Sequence, residues 1–258
     1  MTPPLWALLF ASASGVALWL LSLKLRDAGI IDIFWGPGIA GVTDIVALLG
    51  HAGGPRAAAA LFLVNCWAIR LAAHIFARRF TTGQRGEDHR YAAMRQKFGR
   101  SWWWWSLFQV FLLQVILIWF LPAPLVAAML VRSPLEPLDY AGIGVAAAGF
   151  LFEAIADLQL TRFRADAANR GKVMDRGLWG WSRHPNYFGE AAMWWGYFLI
   201  GFSAAHAWWL LLSPALVTFL LLQVSGVTLM EDGIDERRPA YAVYRRKVSA
   251  FIPLPPKS

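Results

Sequence analysis

Charged side chains interrupt several apolar stretches of this sequence that are otherwise long enough to cross a bilayer. They are Asp32, Asp44, Arg70, Glu153, Asp157 and Glu190. A charged group near the centre of a membrane helix costs about 2.5 to 3.5 kcal/mol on the insertion scale. Such groups must face a polar interior or lie near an interface, and each is a functional candidate. Interfacial placement is the simpler interpretation for Asp32 and Asp157.

Helical spacing arranges polar residues into three stripes, each on one face of a helix. The stripes are Glu153, Asp157 and Arg164; Asn186, Glu190 and Tyr197; and Trp67, Arg70 and His74. For a single stripe, a hydrogen-bond network that holds the helices together is the simpler interpretation. Three stripes, of which two lie nearest the basic loops, instead favour a polar cavity that opens to the cytosol.

The segment 177–190, which reads GLWGWSRHPNYFGE, predicts an anion site. Pro185 is suited to the first turn of a helix, so a helix is expected to begin there. A helix N-terminus offers free backbone donors and the positive end of a dipole, which attract phosphate. The cations close to it in sequence are Arg164, Lys172, Arg176, Arg183 and His184. The alternative is an interface anchor with snorkelling arginines.

The sequence supports neither a metal site nor a dinucleotide site of the Rossmann type. The five histidines are scattered, and no cluster of His, Cys and carboxylates has ligand spacing, so no metal is predicted. The single cysteine, Cys66, excludes an internal disulfide. There is no glycine-rich dinucleotide fingerprint after a strand and no phosphate-binding P-loop, so any dinucleotide must be held in another way.

Membrane helices must position these residues. The chain of 258 residues is 58% hydrophobic and 16% charged with a mean hydropathy of +0.46, too apolar for an ordinary soluble domain. Apolar runs near the roughly 17 to 25 residues that span a bilayer predict an all-α bundle of seven transmembrane helices. The predicted spans are residues 5–23, 28–49, 57–77, 107–130, 140–160, 187–202 and 208–230. Pro122 and Pro124 predict a break in the fourth span near Leu121.

Basic residues are distributed unevenly among the predicted loops. They follow spans one and three, surround the connection from five to six, and fill the tail, whereas the alternate loops hold only Arg56 and Arg132. The positive-inside rule then predicts an N-terminus outside and a cytoplasmic C-terminus. The net charge of +8 is thereby assigned to cytoplasmic loops beside anionic membrane lipid, and nucleic-acid binding is not expected. A single domain over residues 1–258 is predicted.

Segments along nearly the whole chain resemble the membrane steroid 5α-reductase family, most closely its bacterial branch. The central segment is SRHPNYFGE (182–190), preceded by GLW (177–179) and by the stretch 153–164. The other similar segments are KLRDAGIIDIFWG (24–36), EDHRYAAMRQKFG (87–99) and YAVYRRKVSAFIP (241–253). A related RHPxYxGE signature occurs in isoprenylcysteine and phospholipid methyltransferases, which use S-adenosylmethionine.

The resemblance implies an enzyme of the bacterial inner membrane that binds NADPH from the cytosolic side and reduces the C4–C5 double bond of a 3-oxo-Δ4-steroid or a similar lipid enone. In that family a span-two Glu and a span-three Tyr hold the enone oxygen, and the positions here are Asp32 and Trp67. An indole cannot replace a phenol as proton donor. Either Asp32 acts with another donor such as Tyr197, or the substrate differs. Asn186 matches the Asn near the nicotinamide.

The cofactor-binding residues predicted from the resemblance and from the anion site form a larger set. They are Glu153, Asp157, Arg164, Lys172, Arg183, His184, Asn186, Tyr187, Glu190, Tyr241, Arg245 and Arg246. Where the family has an Asn, this chain has the carboxylate of Glu153, which departs from the family pattern. In the tail, Arg237, Arg238 and Lys247 add further cations, and the alternative for each is a solvated basic face.

Three functions remain open at this point. The cations favour NADPH, because its 2′-phosphate and pyrophosphate need several positive partners, whereas S-adenosylmethionine is a sulfonium. The second is an S-adenosylmethionine-dependent membrane methyltransferase of the isoprenylcysteine carboxyl type, acting on a lipid. The third is a transporter or scaffold, which the absence of inverted repeats makes less attractive.

Overall fold

A computed structural model describes residues 1–81, 86–224, 227–231 and 239–257. Within those ranges the regular elements are helices, with one isolated parallel bridge between Ser182 and Ser249. The chain divides into two compact units. Unit 1 contains Met1–Leu135 and Gly201–His206, and unit 2 contains Glu136–Ile200 and Ala207–Ser258. The single domain over 1–258 stays a prediction, and each unit is described by itself.

Unit 1 is built from helices near the N-terminus. They are α1 (Pro3–Leu25), α2 (Ile30–Leu49), α3 (Pro55–Thr81), α4 (His89–Phe98), α5 (Trp102–Ser106), α6 (Leu113–Phe120) and α7 (Ala123–Leu130). A π-helical segment, Leu107–Leu112, joins α5 to α6. α2 packs against α1 and α3. The break between α6 and α7 falls at Leu121 and Pro122, as the prolines predicted.

Unit 2 contains the later helices. They are α8 (Pro137–Ala165), α9 (Pro185–Ala205, which passes into unit 1 from Gly201), α10 (Leu212–Phe219), α11 (Val227–Glu231) and α12 (Pro239–Lys247). A capping box formed by Glu136 and Asp139 starts α8 and satisfies its first backbone donors. α9 begins at Pro185, which confirms the helix start that the proline predicted.

Five helical stretches are long and apolar enough to cross a membrane, and they coincide with the first five predicted spans. They are Pro3–Leu25, Ile30–Leu49, Pro55–Arg79, His89–Leu130 and Pro137–Ala165. The sixth predicted span lies in α9, which is helical but less apolar. The seventh overlaps the shorter apolar helix Trp208–Val224, and its residues 225–226 lie outside the described ranges. The chain is thus all-α and compatible with an integral membrane protein; the count of seven and its sidedness stay predictions.

Glycines bring α8 and α9 into backbone contact. A Cβ added at Gly149 would lie 2.5 Å from a backbone nitrogen of α9, and one added at Gly189 would lie 2.5 Å from the backbone nitrogen of Glu153. Small residues permit this close approach between membrane helices. The contact places Asp157 beside the first turn of α9, where Asn186 lies.

Replacing Gly189 by alanine should lower the thermal midpoint, because the new methyl group would meet backbone atoms that cannot move aside. Overpacking of this kind costs about 1–3 kcal/mol. The matched control is Gly144→Ala in α8, whose Cβ would meet nothing within 4 Å. That variant should keep its midpoint or gain slightly, since alanine favours helix. Equal midpoints for the two variants, measured by a thermal unfolding assay in detergent, would contradict the close helix contact.

Candidate functional site

In unit 1, the Asp32 carboxylate near the start of α2 binds a phenol and a guanidinium. Its Oδ1 accepts a hydrogen bond from the Tyr91 hydroxyl at 2.7 Å, and its Oδ2 accepts one from Arg90 Nη2 at 3.0 Å. Tyr91 is 7% exposed, whereas the Asp32 side chain is 26% exposed. The pair therefore joins a buried hydroxyl to a carboxylate that solvent reaches.

Two carboxylates just before α4 hold this arrangement in place. Asp88 Oδ1 caps the helix by accepting from the Arg90 backbone N–H and from Arg90 Nε, both at 2.9 Å. Glu87 accepts from Arg95 Nε at 2.8 Å and from the backbone N–H of Ala28 at 2.9 Å. Burial alone would raise the pKa of Glu87 and of Asp88, but the hydrogen bonds from these arginines lower both. Both groups stay charged and fix α4 against the start of α2.

An open cleft of about 260 Å³ lies beside the Asp32 carboxylate. Its lining residues are Gly29, Asp32, Ile75, Arg78, Arg79, Gly86, Glu87, Asp88 and His89. Arg79 also forms an ion pair with Asp27. A cavity of this size with charged walls has the room and the polar partners that water molecules need.

In unit 2, two predicted cofactor residues contact each other. Asn186, in the first turn of α9, donates from Nδ2 to Asp157 Oδ1 at 3.1 Å. With the amide nitrogen facing the carboxylate, the amide oxygen faces away from it. The Asn186 Oδ1 atom is buried and accepts no hydrogen bond from the residues that the structure describes. A buried acceptor without a donor costs about 1–3 kcal/mol, so this oxygen is suited to an N–H group of a ligand.

Four further residues of unit 2, Arg183, His184, Glu231 and Tyr241, form a cluster that we call the tail latch. Arg183 donates from Nε and Nη2 to the two oxygens of Glu231, at 2.7 and 2.8 Å. Glu231 Oε1 also lies 3.0 Å from His184 Nε2 and accepts from the Tyr241 hydroxyl at 3.1 Å. Burial alone would raise the pKa of Glu231, but the hydrogen bonds from His184 and Arg183 lower it to about 2. The carboxylate is therefore charged at neutral pH.

The C-terminal segment completes the tail latch. Arg183 Nη1 donates to the carbonyls of Arg245 and Val248, at 3.0 and 2.7 Å, and its backbone N–H donates to the Ser249 carbonyl at 2.8 Å. The Ser182 hydroxyl donates to another tail carbonyl at 2.8 Å. Each guanidinium nitrogen of Arg183 thus has a partner within unit 2. The structure shows Arg183 hydrogen-bonded to the C-terminal tail. That Arg183 binds phosphate stays a prediction.

The other predicted site residues differ in exposure. Trp67 in α3 and Tyr197 in α9 are fully buried, and Tyr197 meets the Trp194 ring edge-to-face with centroids 5.5 Å apart. The His184 and Tyr187 rings stack at 5.5 Å. Glu153 is buried and Glu190 is partly buried. The predicted cations that lie exposed are Arg164, Lys172, Arg245 and Arg246. The tail arginines Arg237 and Arg238 lie outside the described residues.

Sequence reasoning missed Tyr91 and Glu231. The structure gives Asp32 a phenolic partner from its own unit, whereas Tyr197 was the donor considered from sequence. The signal for Tyr91 was the acidic and basic run that precedes it in 87–99; for Glu231 it was a carboxylate directly after the last apolar run. In the described part of the chain, no group of three or more His, Cys, Asp or Glu residues forms a metal site.

Comparison with known proteins gives a family and one relative. A family profile described as "Protein of unknown function (DUF1295)" matches residues 18–248, a range that includes Asp32, Tyr91, Asn186 and Glu231. A protein of Schizosaccharomyces pombe, itself described as uncharacterized, is 26% identical over 275 residues, covering 95% of this chain and 78% of its own length. No solved structure matches the chain significantly.

Proposed function

The chain belongs to the DUF1295 family, and we propose that it is a membrane oxidoreductase that uses NADPH to reduce the C4–C5 double bond of a 3-oxo-Δ4-steroid or a similar lipid enone. The observation that supports this most directly is the buried Asn186 oxygen, held beside Asp157 and without a hydrogen-bond donor among the described residues. The resemblance of 182–190 and of the other segments to membrane steroid 5α-reductases supports the same chemistry.

The residues of unit 2 fit a phosphorylated nicotinamide dinucleotide. The carboxamide of a nicotinamide carries the N–H donors that the Asn186 oxygen lacks among the described residues. Arg164 and Lys172, both exposed at the end of α8 and in the following loop, are suited to the phosphates. A sulfonium methyl donor has no phosphate to use these cations, which is why the methyltransferase is the second choice.

The residues of unit 1 are suited to stabilising the charge that develops on the enone oxygen. NADPH, when bound, supplies a hydride to the β-carbon of the enone. Negative charge then develops on the carbonyl oxygen, and preorganised hydrogen-bond donors stabilise it. We assign that role to the Tyr91 hydroxyl, whose single proton is donated to Asp32 at 2.7 Å in this structure and would turn to the enone oxygen when the substrate binds. In this proposal Tyr91 supplies the phenol of the family tyrosine, because Trp67, at that position, has an indole.

We further propose seven spans with the N-terminus outside, the C-terminus in the cytoplasm and the cofactor-side residues of unit 2 facing the cytoplasm of a bacterial cell. α9 and the apolar helix Trp208–Val224 are the candidates for the last two spans. The concentration of Lys and Arg in alternate loops supports this orientation, because short cytoplasmic loops carry the basic excess.

Thermal stability of the purified protein with NADPH, NADH or S-adenosylmethionine tests the proposal. A ligand that binds only the folded state stabilises it by about 2.7 kcal/mol at a hundredfold excess over its Kd. We expect the largest shift with NADPH and a smaller one with NADH, since NADH lacks the 2′-phosphate. Stabilisation by S-adenosylmethionine alone would instead support the methyltransferase. No shift with any of the three would favour the transporter or scaffold.

Arg164→Ala should weaken the NADPH shift. The matched control is Arg162→Ala, because Arg162 is also exposed in the last turn of α8 but lies on the opposite side of the helix by its spacing. Equal NADPH affinity in both variants would contradict the placement of the phosphates beside Arg164.

A further inference from the structure

Aromatic side chains cover one exposed corner of unit 1, where α4 is followed by α5. Trp103 is 56% exposed and Phe108 is 55% exposed, and Trp104 is exposed as well. The neighbouring Trp102 is buried in a hydrophobic cluster with Tyr91 and so fixes α5 from its other side. Large exposed aromatic rings at adjacent positions mark a surface that an apolar partner or a membrane covers.

Ring contacts hold this surface in one arrangement. The Trp105 ring stacks with the rings of Phe98 and Trp104, with centroids 4.8 and 4.7 Å apart. The Phe108 ring meets Trp104 edge-to-face at 6.4 Å. These four rings form a continuous series from the end of α4 to the π-helical segment, which we call the aromatic row. The surface is therefore ordered before any ligand binds.

Two cations beside the aromatic row are available to an anion. Lys97 and Arg100 are exposed, and Lys97 Nζ lies 5.6 Å from the centroid of the Phe98 ring. Neither cation forms an ion pair with a carboxylate that the structure describes. By contrast, Arg90 and Arg95 are paired with carboxylates of unit 1. The structure thus separates the cations that hold α4 in place from the two that face outward.

We propose that this corner binds an anionic phospholipid of the phosphatidylglycerol type, with its phosphate at Lys97 and Arg100 and its acyl chains against the aromatic row. Ammonium and guanidinium groups bind phosphate through charge-assisted hydrogen bonds, and indole rings are favoured at headgroup depth. A free phosphate compound would use the cations but leave the exposed rings in water. A zwitterionic lipid carries its own ammonium group, so a headgroup with net negative charge fits these cations better.

Titration of the full-length protein in neutral detergent tests this site, with the thermal midpoint as the readout. The two ligands are phosphatidylglycerol and phosphatidylcholine with the same acyl chains. We expect the wild type to prefer phosphatidylglycerol by about 25-fold in Kd, since each cation near an anionic headgroup contributes about fivefold. The Lys97→Gln/Arg100→Gln variant should lose most of that preference. The matched control, Arg176→Gln/Lys257→Gln, removes one exposed arginine and one exposed lysine of unit 2 and should keep it.

Three outcomes of the titration would overturn the proposal. The first is a full preference for phosphatidylglycerol in the Lys97→Gln/Arg100→Gln variant, and the second is equal wild-type affinity for the two lipids. The third concerns glycerol 1-phosphate, a soluble analogue of the headgroup, which should give no shift. A shift as large as that with phosphatidylglycerol would show that the ligand is a free phosphate compound.

Nitroxide labels test the acyl-chain contact without any change of charge at the corner. In a Cys66→Ser background, which removes the single native cysteine, the label is placed at Phe108→Cys in phosphatidylglycerol vesicles. It should collide more often with oxygen, which concentrates among acyl chains, than with a water-soluble nickel chelate. A label at Lys257→Cys, in the exposed tail, should show the reverse. Equal access of the nickel chelate to both labels would contradict lipid contact at the aromatic row.

Discussion

Replacing Arg183 by alanine should lower the thermal midpoint by about 6–20 °C. Removing one partner of a buried ion pair costs about 3–5 kcal/mol, and a chain of this size loses about 2–4 °C per kcal/mol. Arg183 donates to both oxygens of Glu231 and to two tail carbonyls, so the substitution leaves a largely buried carboxylate without its guanidinium and removes two of the hydrogen bonds that hold the tail. Thermal unfolding in detergent measures the effect.

The matched control is Arg176→Ala, at an exposed arginine seven residues earlier in the same connection. Its midpoint should change little, because exposed charges contribute about 0–1 kcal/mol. Replacing both Arg183 and Glu231 by methionine should recover most of the lost stability, since no charge is then left unpaired. An unchanged midpoint in Arg183→Ala together with a lost NADPH shift would show that Arg183 is a ligand residue, as the sequence alone predicted.

The same pair gives the direction of the acid response. The pKa of Glu231 is lowered from the ordinary 4.5 to about 2, so its contribution to folding is complete above about pH 4.5. That contribution decreases as the pH falls from about 4.5 toward 2, and the wild-type midpoint should decrease with it. The Glu231→Gln variant lacks this ionisation and should show a flatter response over the same range.

Local features of the site followed from the sequence because they depend on neighbours in the chain. Pro185 marked the first turn of α9, and Pro122 with Pro124 marked the break after α6. Helical phase placed Asp157 and Asn186 on polar stripes of consecutive helices, and the structure brings these two side chains together at 3.1 Å. Side-chain direction along a helix is set by 3.6 residues per turn, which a sequence reveals directly.

Pairings between distant segments could not be inferred in the same way. Tyr91 is 59 residues from Asp32, and Glu231 is 48 residues from Arg183. Tyr91 lies in the first turn of the short helix α4 and Glu231 is the last residue of α11, so helical phase gives little information about which way their side chains point. A cation beside a helix N-terminus also looks the same in sequence whether it binds a ligand or an internal carboxylate. The structure resolves that ambiguity for Arg183 by showing Glu231 and the tail carbonyls around it.

The second large effect is expected at Asp32. Asp32→Ala should lower the turnover of a test enone by about 10²–10⁴-fold, because Tyr91 loses the carboxylate that orients its hydroxyl. The NADPH-induced thermal shift should remain, since the residues that we assign to the cofactor belong to unit 2 and Asp32 belongs to unit 1. Steady-state kinetics separate the two: kcat and kcat/KM fall together when an interaction made only in the transition state is removed.

The control for Asp32→Ala is a second carboxylate of the same helix. Asp44 lies in α2 and accepts a hydrogen bond from Asn65 Nδ2 at 2.9 Å, away from the residues that line the cleft. Asp44→Ala removes the same side chain in the same apolar helix and should keep turnover close to that of the wild type. If both variants lose activity equally, the loss reports damage to α2 and not chemistry at Asp32. If Asp32→Ala keeps its turnover, Asp32 has no place at the enone.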